Sequence, residues 1–141
     1  MQKKTMAFAV IAILSCNLAT ACQVKYISSV EVKEALKSET EAWVISDSAC
    51  KRMERNKLLL SISGNSGVIA GSSYAWAHLA IIRPESRITS SDYSASTIID
   101  REDPSTPRAR ALQRETVRNA IKSFDVNKAL DGLGKITTLV K

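Results

Sequence analysis

The chain is poor in the residue types that most often carry chemistry. Its 141 residues include one histidine, three cysteines, three prolines and five glycines, and aromatic residues make up only 5%. A lone His78 cannot form a His-x-x-x-His pair, and the cysteines at 16, 22 and 50 make no Cys-x-x-Cys, so the usual zinc spacings are missing. There is no Gly-x-Ser-x-Gly elbow for a nucleophilic serine and no glycine-rich dinucleotide turn. Gly64-Asn65-Ser66-Gly67 is not followed by the Lys-Ser/Thr that a phosphate-binding loop needs. Proline and glycine are too scarce for a collagen-like or low-complexity chain, and cysteine is too scarce for a disulfide scaffold. No Asn-x-Ser/Thr sequon occurs. What remains is the composition of one small globular domain, 45% hydrophobic and 24% charged.

The most informative segment is the first. Lys3 and Lys4 precede an apolar run of nine residues, Met6 to Leu14, which is too short for a bilayer-spanning helix of ~20 residues but suits the core of a signal peptide. Ala19-Thr20-Ala21 then supplies the small-x-small pattern of a cleavage site. The expected organisation is a signal peptide over 1–21 and a mature domain over 22–141, periplasmic or secreted. A competing cut before Cys16, after Ile13-Leu14-Ser15, would give a lipid-anchored lipoprotein instead. An uncleaved membrane anchor and a buried helix are the other readings of the same segment. Removing residues 1–21 takes away Lys3 and Lys4 and no acid, leaving 18 basic against 14 acidic side chains, a net charge of +4.

Export puts Cys22 and Cys50 in an oxidising compartment, where a Cys22–Cys50 disulfide is expected, with two free thiols as the alternative. The bridge would close a loop of about 28 residues, worth about 3 kcal/mol by chain entropy.

The remaining pattern points to a mainly α fold, a small helical bundle with one long polar loop. Ser28-Ser29-Val30-Glu31 has the form of a capping box, and Val32, Ala35, Leu36, Ala42, Trp43 and Ile45 lie on one side of the helix it would start. The pattern pauses at Ser46-Asp47-Ser48 and resumes through Cys50, Met53 and Leu58, beside the basic cluster Lys51, Arg52, Arg55 and Lys57. From Leu58 to Ile82 no residue is formally charged. Serines and glycines argue against a membrane span there, leaving a buried hairpin or a central helix. Tyr74, Trp76 and His78 alternate, as residues on one face of a strand would, and are expected in a core or boundary cluster. From Arg83 to Arg108, three prolines and many Ser and Thr suggest a long connection anchored by a short element near Tyr93–Ile99, with Asp92, Asp100, Glu102 and Asp103 gathered in it.

A second helix is expected from Thr106 as cap and Pro107 at its first position. Leu112, Val117, Ala120, Ile121 and Phe124 form its inner face. Arg110, Arg114, Arg118 and Lys122 recur at every fourth residue, so like charges line one side and require either an opposing partner or solvent. The acidic stretch just named is the intramolecular candidate; an acidic protein or an anionic lipid surface is the external one. Asp125 is expected to cap a short helix over 126–130, broken by Asp131-Gly132-Leu133-Gly134 before a final strand or turn at Ile136 to Val140.

The leading functional expectation is a non-catalytic envelope protein that binds a macromolecular partner, in an immunity, exclusion or secretion-accessory role. Its partner-binding residues would be Arg110, Arg114, Arg118 and Lys122, with the segment Arg83 to Arg108 as a further contact surface. No cofactor, metal or catalytic residue is implied, and export with no base-reading motif argues against nucleic acid. The alternatives are a small hydrolase with His78 as base and a serine or Cys50 as nucleophile, and a protein that binds anionic membrane surfaces. The stretch from Ala42 through Cys50 to Ala77, a helix ending near a cysteine and then a Gly- and Ser-rich segment read as a helix, resembles periplasmic amidase-immunity proteins of type VI secretion.

Overall fold

The structure, a computed structural model, describes residues 22, 24–37 and 45–139. The expected signal peptide, the Cys16 alternative and the positions of Ala42 and Trp43 lie outside the described residues. The order of elements is β1 (Tyr26–Ser28), α1 (Val30–Lys37), α2 (Asp47–Arg55), β2 (Leu59–Ile69), β3 (Ser72–Arg83), β4 (Ile88–Asp100), α3 (Thr106–Ser123) and α4 (Val126–Leu139). A four-stranded mixed sheet in the order β1-β2-β3-β4 carries its helices on one face, with β1 parallel to β2 and the other pairs antiparallel. The expectation of a mainly α bundle is therefore corrected: the fold is α/β.

The uncharged stretch from Leu58 to Ile82 forms the β2–β3 hairpin, one of its two expected forms. Alternation decides it: Leu60, Ile62, Ala75, Ala77, Leu79 and Ile81 point to one face and are at most 1% exposed. Ile69 pairs with Ser72 across the two-residue loop Ala70-Gly71, where φ is +47° and +72°. Positive φ at both loop positions is the geometry of the tight hairpin turn that matches strand twist. Because Ala42 to Ala77 runs into this hairpin and not into a second helix, the pattern behind the immunity-protein resemblance does not hold.

The larger correction is β4, thirteen residues long, where the sequence suggested a loop. Most of its inward positions are polar, namely Ser90, Asp92, Ser94, Ser96 and Asp100, with Ile88 and Ile98 the apolar exceptions. That inverts the apolar-in, polar-out rhythm by which a half-buried strand is recognised. Four of these polar groups have a partner in the fold. The Ser90 hydroxyl accepts from the Ile81 amide at the irregularity between Ala80 and Ile82, and it donates to the Asp92 carbonyl. Asp92 pairs with Lys128 at 2.7 Å, Ser94 with Ser123 at 2.6 Å, and Asp100 with Arg108 at 2.6 Å.

Several boundaries move by one residue or more. Ser28 lies in β1, and Ser29 holds the capping position of α1: its carbonyl accepts from Lys33 and its hydroxyl donates to the Gly64 carbonyl. Ser105, not Thr106, caps α3, accepting from the Arg108 amide. Asp125 caps α4 as expected, accepting from the Lys128 amide. However, α4 runs through Gly132 and Gly134 to Leu139 instead of breaking there.

The core lies between sheet and helices. At one end of the sheet it is built of large side chains: Leu60, Ile62, Leu79 and Ile81 meet Met53, Val117, Leu130 and Leu133. At the other end the inward residues are Gly64, Ser73, Ala75 and Ala77, and α3 settles onto them with Ala109, Leu112, Gln113 and Thr116 buried. The Cys22–Cys50 disulfide is formed, as expected, and fastens the start of the described chain to α2.

A Cβ on Gly64 would sit 2.5 Å from the Trp76 carbonyl oxygen, 2.8 Å from Gln113 Nε2 and 2.9 Å from Val32 Cγ2. Two of the three neighbours belong to packed elements that cannot swing away. Gly64→Ala is expected to lower unfolding stability by about 1–3 kcal/mol, read as a lower urea midpoint at unchanged slope. An unchanged midpoint would show that α3 is not seated on this glycine.

Candidate functional site

The helices cover one face of the sheet and leave the other open. On the open face stand Tyr74, Trp76 and His78 of β3, Tyr93, Thr97 and Ile99 of β4, and Ile69 of β2. Trp76 is 39% exposed, Tyr93 63%, Ile99 62% and Ile69 65%. Tyr74, Trp76 and His78 do share a face, but it is the open one and not the core. The Tyr74 ring lies over Gly67, its cross-strand partner, 3.2 Å from where a Cβ would be. The His78 and Tyr93 rings are tilted by 32° with centroids 5.0 Å apart. From Ser61 to Ile69, Tyr74 to Ala80 and Tyr93 to Ile99, no outward position carries Asp, Glu, Lys or Arg.

This arrangement separates the residues of the hydrolase alternative. Cys50 is buried in α2, among the helices, and is committed to its disulfide, whereas His78 faces outward from β3. Ser63 lies across from His78 in register, with no carboxylate on that face. Among the described residues no group of three or more His, Cys, Asp or Glu is gathered as metal ligands.

The cation row is on the solvent side of α3, with Arg110, Arg114, Arg118 and Lys122 all exposed. Two of the four acids expected to neutralise it are engaged elsewhere. Asp100 holds Arg108, and Asp92 holds Lys128 of α4. Of the other basic cluster, Lys51 pairs with Asp47, Arg52 with Asp131 and Lys57 with Glu85. Arg110 and Arg114 instead line a groove of about 600 Å³ between α1, the end of β2 and α3, with Glu31 and Glu34 on its opposite wall.

Gln113, which no motif singles out, lies in the wall of that groove at 2% exposure. Its Nε2 donates to the Trp76 carbonyl at 3.0 Å, so Trp76 links the two faces: its ring is on the open side and its main-chain oxygen holds α3. Only a polar residue among the apolar inner positions of α3 could have flagged it.

No protein-family model, curated protein or solved structure matches this chain.

Asp100 is the electrostatic anchor of the turn that launches α3. Its carboxylate accepts from Arg108 Nε and from the amides of Glu102 and Asp103. The Arg108 hydrogen bond first, and the Glu102 amide next, hold its pKa below the usual aspartate value. A depressed folded-state pKa contributes stability that is complete above the unfolded value, about 3.9, and is lost as pH falls through the lower folded value. Between pH 5 and 2 the urea midpoint of the native protein should therefore fall more steeply than that of Asp100→Asn, and equal slopes would mean the anchor does nothing for folding.

Proposed function

We propose that the mature chain is a non-catalytic exported protein that binds another envelope macromolecule through the open face of its sheet. The observation that carries this reading is the inverted strand β4 beside β3, which turns polar groups toward the helices and Tyr93 and Ile99 outward beside Trp76. An antiparallel sheet with one face in water ordinarily makes that face polar. Aromatic enrichment with depletion of charge is instead the make-up of interface cores, and contiguous exposed apolar surface marks contact sites. The formed disulfide fits an oxidising, exported location, and among the described residues no helix is long and apolar enough to cross a membrane. The partner is a protein presenting an uncharged apolar patch, in an immunity, exclusion or secretion-accessory setting, soluble in the periplasm or held at its surface by a lipid on Cys16.

A photo-crosslinking residue at Tyr93 should trap that macromolecule in intact cells, and one at Asn119, on the exposed side of α3, should not. Trp76→Lys should reduce the trapped product about tenfold or more, as buried interface tryptophans do. Trapping from Asn119 alone would overturn the reading.

A second reading is contact of the α3 row with an anionic lipid surface, favoured because Arg110, Arg114 and Lys122 are exposed on one side of that helix while Asp100 and Asp92 pair with Arg108 and Lys128. It requires association with phosphatidylglycerol vesicles that weakens with salt and with Arg114→Glu; binding indifferent to both would remove it.

A further inference from the structure

The outer edge of β4 is a feature that the open face does not account for. The direction of its main-chain groups follows strand by strand. In β2 the even-numbered residues serve β1: the Leu60 amide donates to the Lys25 carbonyl, and the Ile62 carbonyl accepts from the Ser29 amide. Successive residues of a strand direct their main-chain groups to opposite sides. The odd residues of β2 therefore bond the even residues of β3, and the odd residues of β3 bond Ser94, Ser96, Ile98 and Asp100. That leaves the amides and carbonyls of Tyr93, Ala95, Thr97 and Ile99 pointing away from β3. Among the described residues β4 pairs with β3 alone, so these groups form a free edge.

Charge, proline and bulges are the devices that keep an edge from pairing. From Tyr93 to Ile99 there is neither a charged residue nor a proline, and the pairing to β3 is regular. The irregularity comes before this stretch, where Ser90, Ser91 and Asp92 fall between the Thr89–Ile82 and Tyr93–Ala80 pairs. The turn gathered by the Asp100 carboxylate comes after it. On the helix side, α4 meets β4 at Ser91 and Asp92, outside the regular stretch. Ala95 and Thr97, like Tyr93 and Ile99, are exposed.

We infer that this edge pairs with the same edge of a second copy of the chain, antiparallel about a two-fold axis at Ser96. That register engages the whole regular stretch. Tyr93 lies opposite Ile99 of the partner subunit and Ala95 opposite the partner's Thr97, each pair exchanging two main-chain bonds. The Tyr93–Ile99 pairs add aromatic-to-aliphatic contact on the open side. Asp92 meets the partner's Asp100, but each carboxylate already holds its own cation, Lys128 and Arg108 respectively. Charge makes a second copy the occupant. Beside Ser91 lies a concavity of about 600 Å³ lined by Asp92, Asp125 and Asp131, with Lys128 its one cation. The same register sets the partner's Arg101, exposed just past the end of β4, opposite Ser91 on the rim of that acidic concavity. The two-fold axis repeats the contact, and the two open faces join into one continuous surface. Because the pairing uses the edge, it does not depend on what the face binds.

The test is sedimentation velocity of the disulfide-bonded protein from micromolar to millimolar concentration, which should show a monomer–dimer equilibrium. Thr97→Pro removes an amide that β3 does not use, and Ala95→Lys puts a charge on the edge; each should weaken dimerisation about tenfold or more. Arg101→Glu should weaken it severalfold. Ala95→Lys should keep the parent urea midpoint at low micromolar protein, where the monomer prevails, so that its effect is not one of unfolding. Under mild oxidation Ser96→Cys should link to itself, because directly opposed residues of a non-hydrogen-bonded pair have Cα atoms about 4.5 Å apart, and Thr97→Cys should not. A monomer at every concentration would overturn the proposal, as would equal self-linking by Thr97→Cys. A dimer dissolved by Trp76→Lys and untouched by Ala95→Lys would overturn it too, since the copies would then meet through their open faces.

Discussion

The architecture depends on how closely α3 can approach the sheet. Where β2 and β3 offer Gly64, Ala75 and Ala77, the helix comes near enough for a glutamine side chain to bond to a strand carbonyl. Where they offer Leu60, Ile62, Leu79 and Ile81, it is held off by large side chains that Val117 and Ala120 meet. Interiors are packed too densely for either end to slide, so this gradient from small to large sets the helix along the hairpin. Its consequences reach the surface. The direction of α3 places Arg110 and Arg114 opposite α1, and its start requires the turn held by Asp100 and by the Ser73 hydroxyl, which donates to the Asp103 carbonyl at 2.7 Å.

The same seating explains why β4 can be polar on its inner side. An inward serine or aspartate is tolerated only where a partner meets it, and α3 and α4 supply Arg108, Ser123 and Lys128 at the required positions. With these groups satisfied beneath the helices, the apolar residues of β4 are free to face outward. The open face is thus a consequence of the helix layer's chemistry as well as of the strand's own sequence.

Elements whose burial is apolar and periodic were legible beforehand. The buried positions Leu112, Val117 and Ala120 of α3 followed from spacing, as did the resumption of helix at Cys50 and Met53, although α2 ends at Arg55, short of Leu58, and the cysteine pair followed from parity together with the expected export. The uncharged stretch from Leu58 to Ile82 left hairpin and helix open, because short apolar runs with interspersed serine and glycine fit both. What stayed hidden was whatever tertiary partners decide. The strand Ile88–Asp100 reads as a loop because its inward residues are satisfied by tertiary partners, Asp92 and Ser94 by helices far along the chain, which no local pattern records. Gly132 and Gly134 read as breakers, yet α4 continues across them; Gly132 is half-buried beside Ser91 and Asp92 of β4, where tertiary contact outweighs their poor propensity. The cation row was visible, but its relation to Glu31 and Glu34 required α1 to be placed next to α3.

Charge and apolar surface are thereby sorted onto opposite sides. Ionic groups occupy the helical layer and the rims, while the open face has none across the middle of three strands. Such a face invites association with any similar surface, including another copy, and a long edge strand beside it adds unpaired backbone groups. A net charge of +4 over residues 22–141 opposes that association only at long range and only at low ionic strength. At contact distance, selectivity has to come from shape and from the hydrogen-bonding groups set among the rings, the Ser63 hydroxyl, the Asn65 amide and the His78 imidazole. A partner that left those groups unsatisfied would lose more by burying them than it gained from covering Trp76 and Tyr93. In the proposed complex, the polar residues of the open face would therefore restrict which surface docks, and the aromatic ones would supply the drive to dock at all.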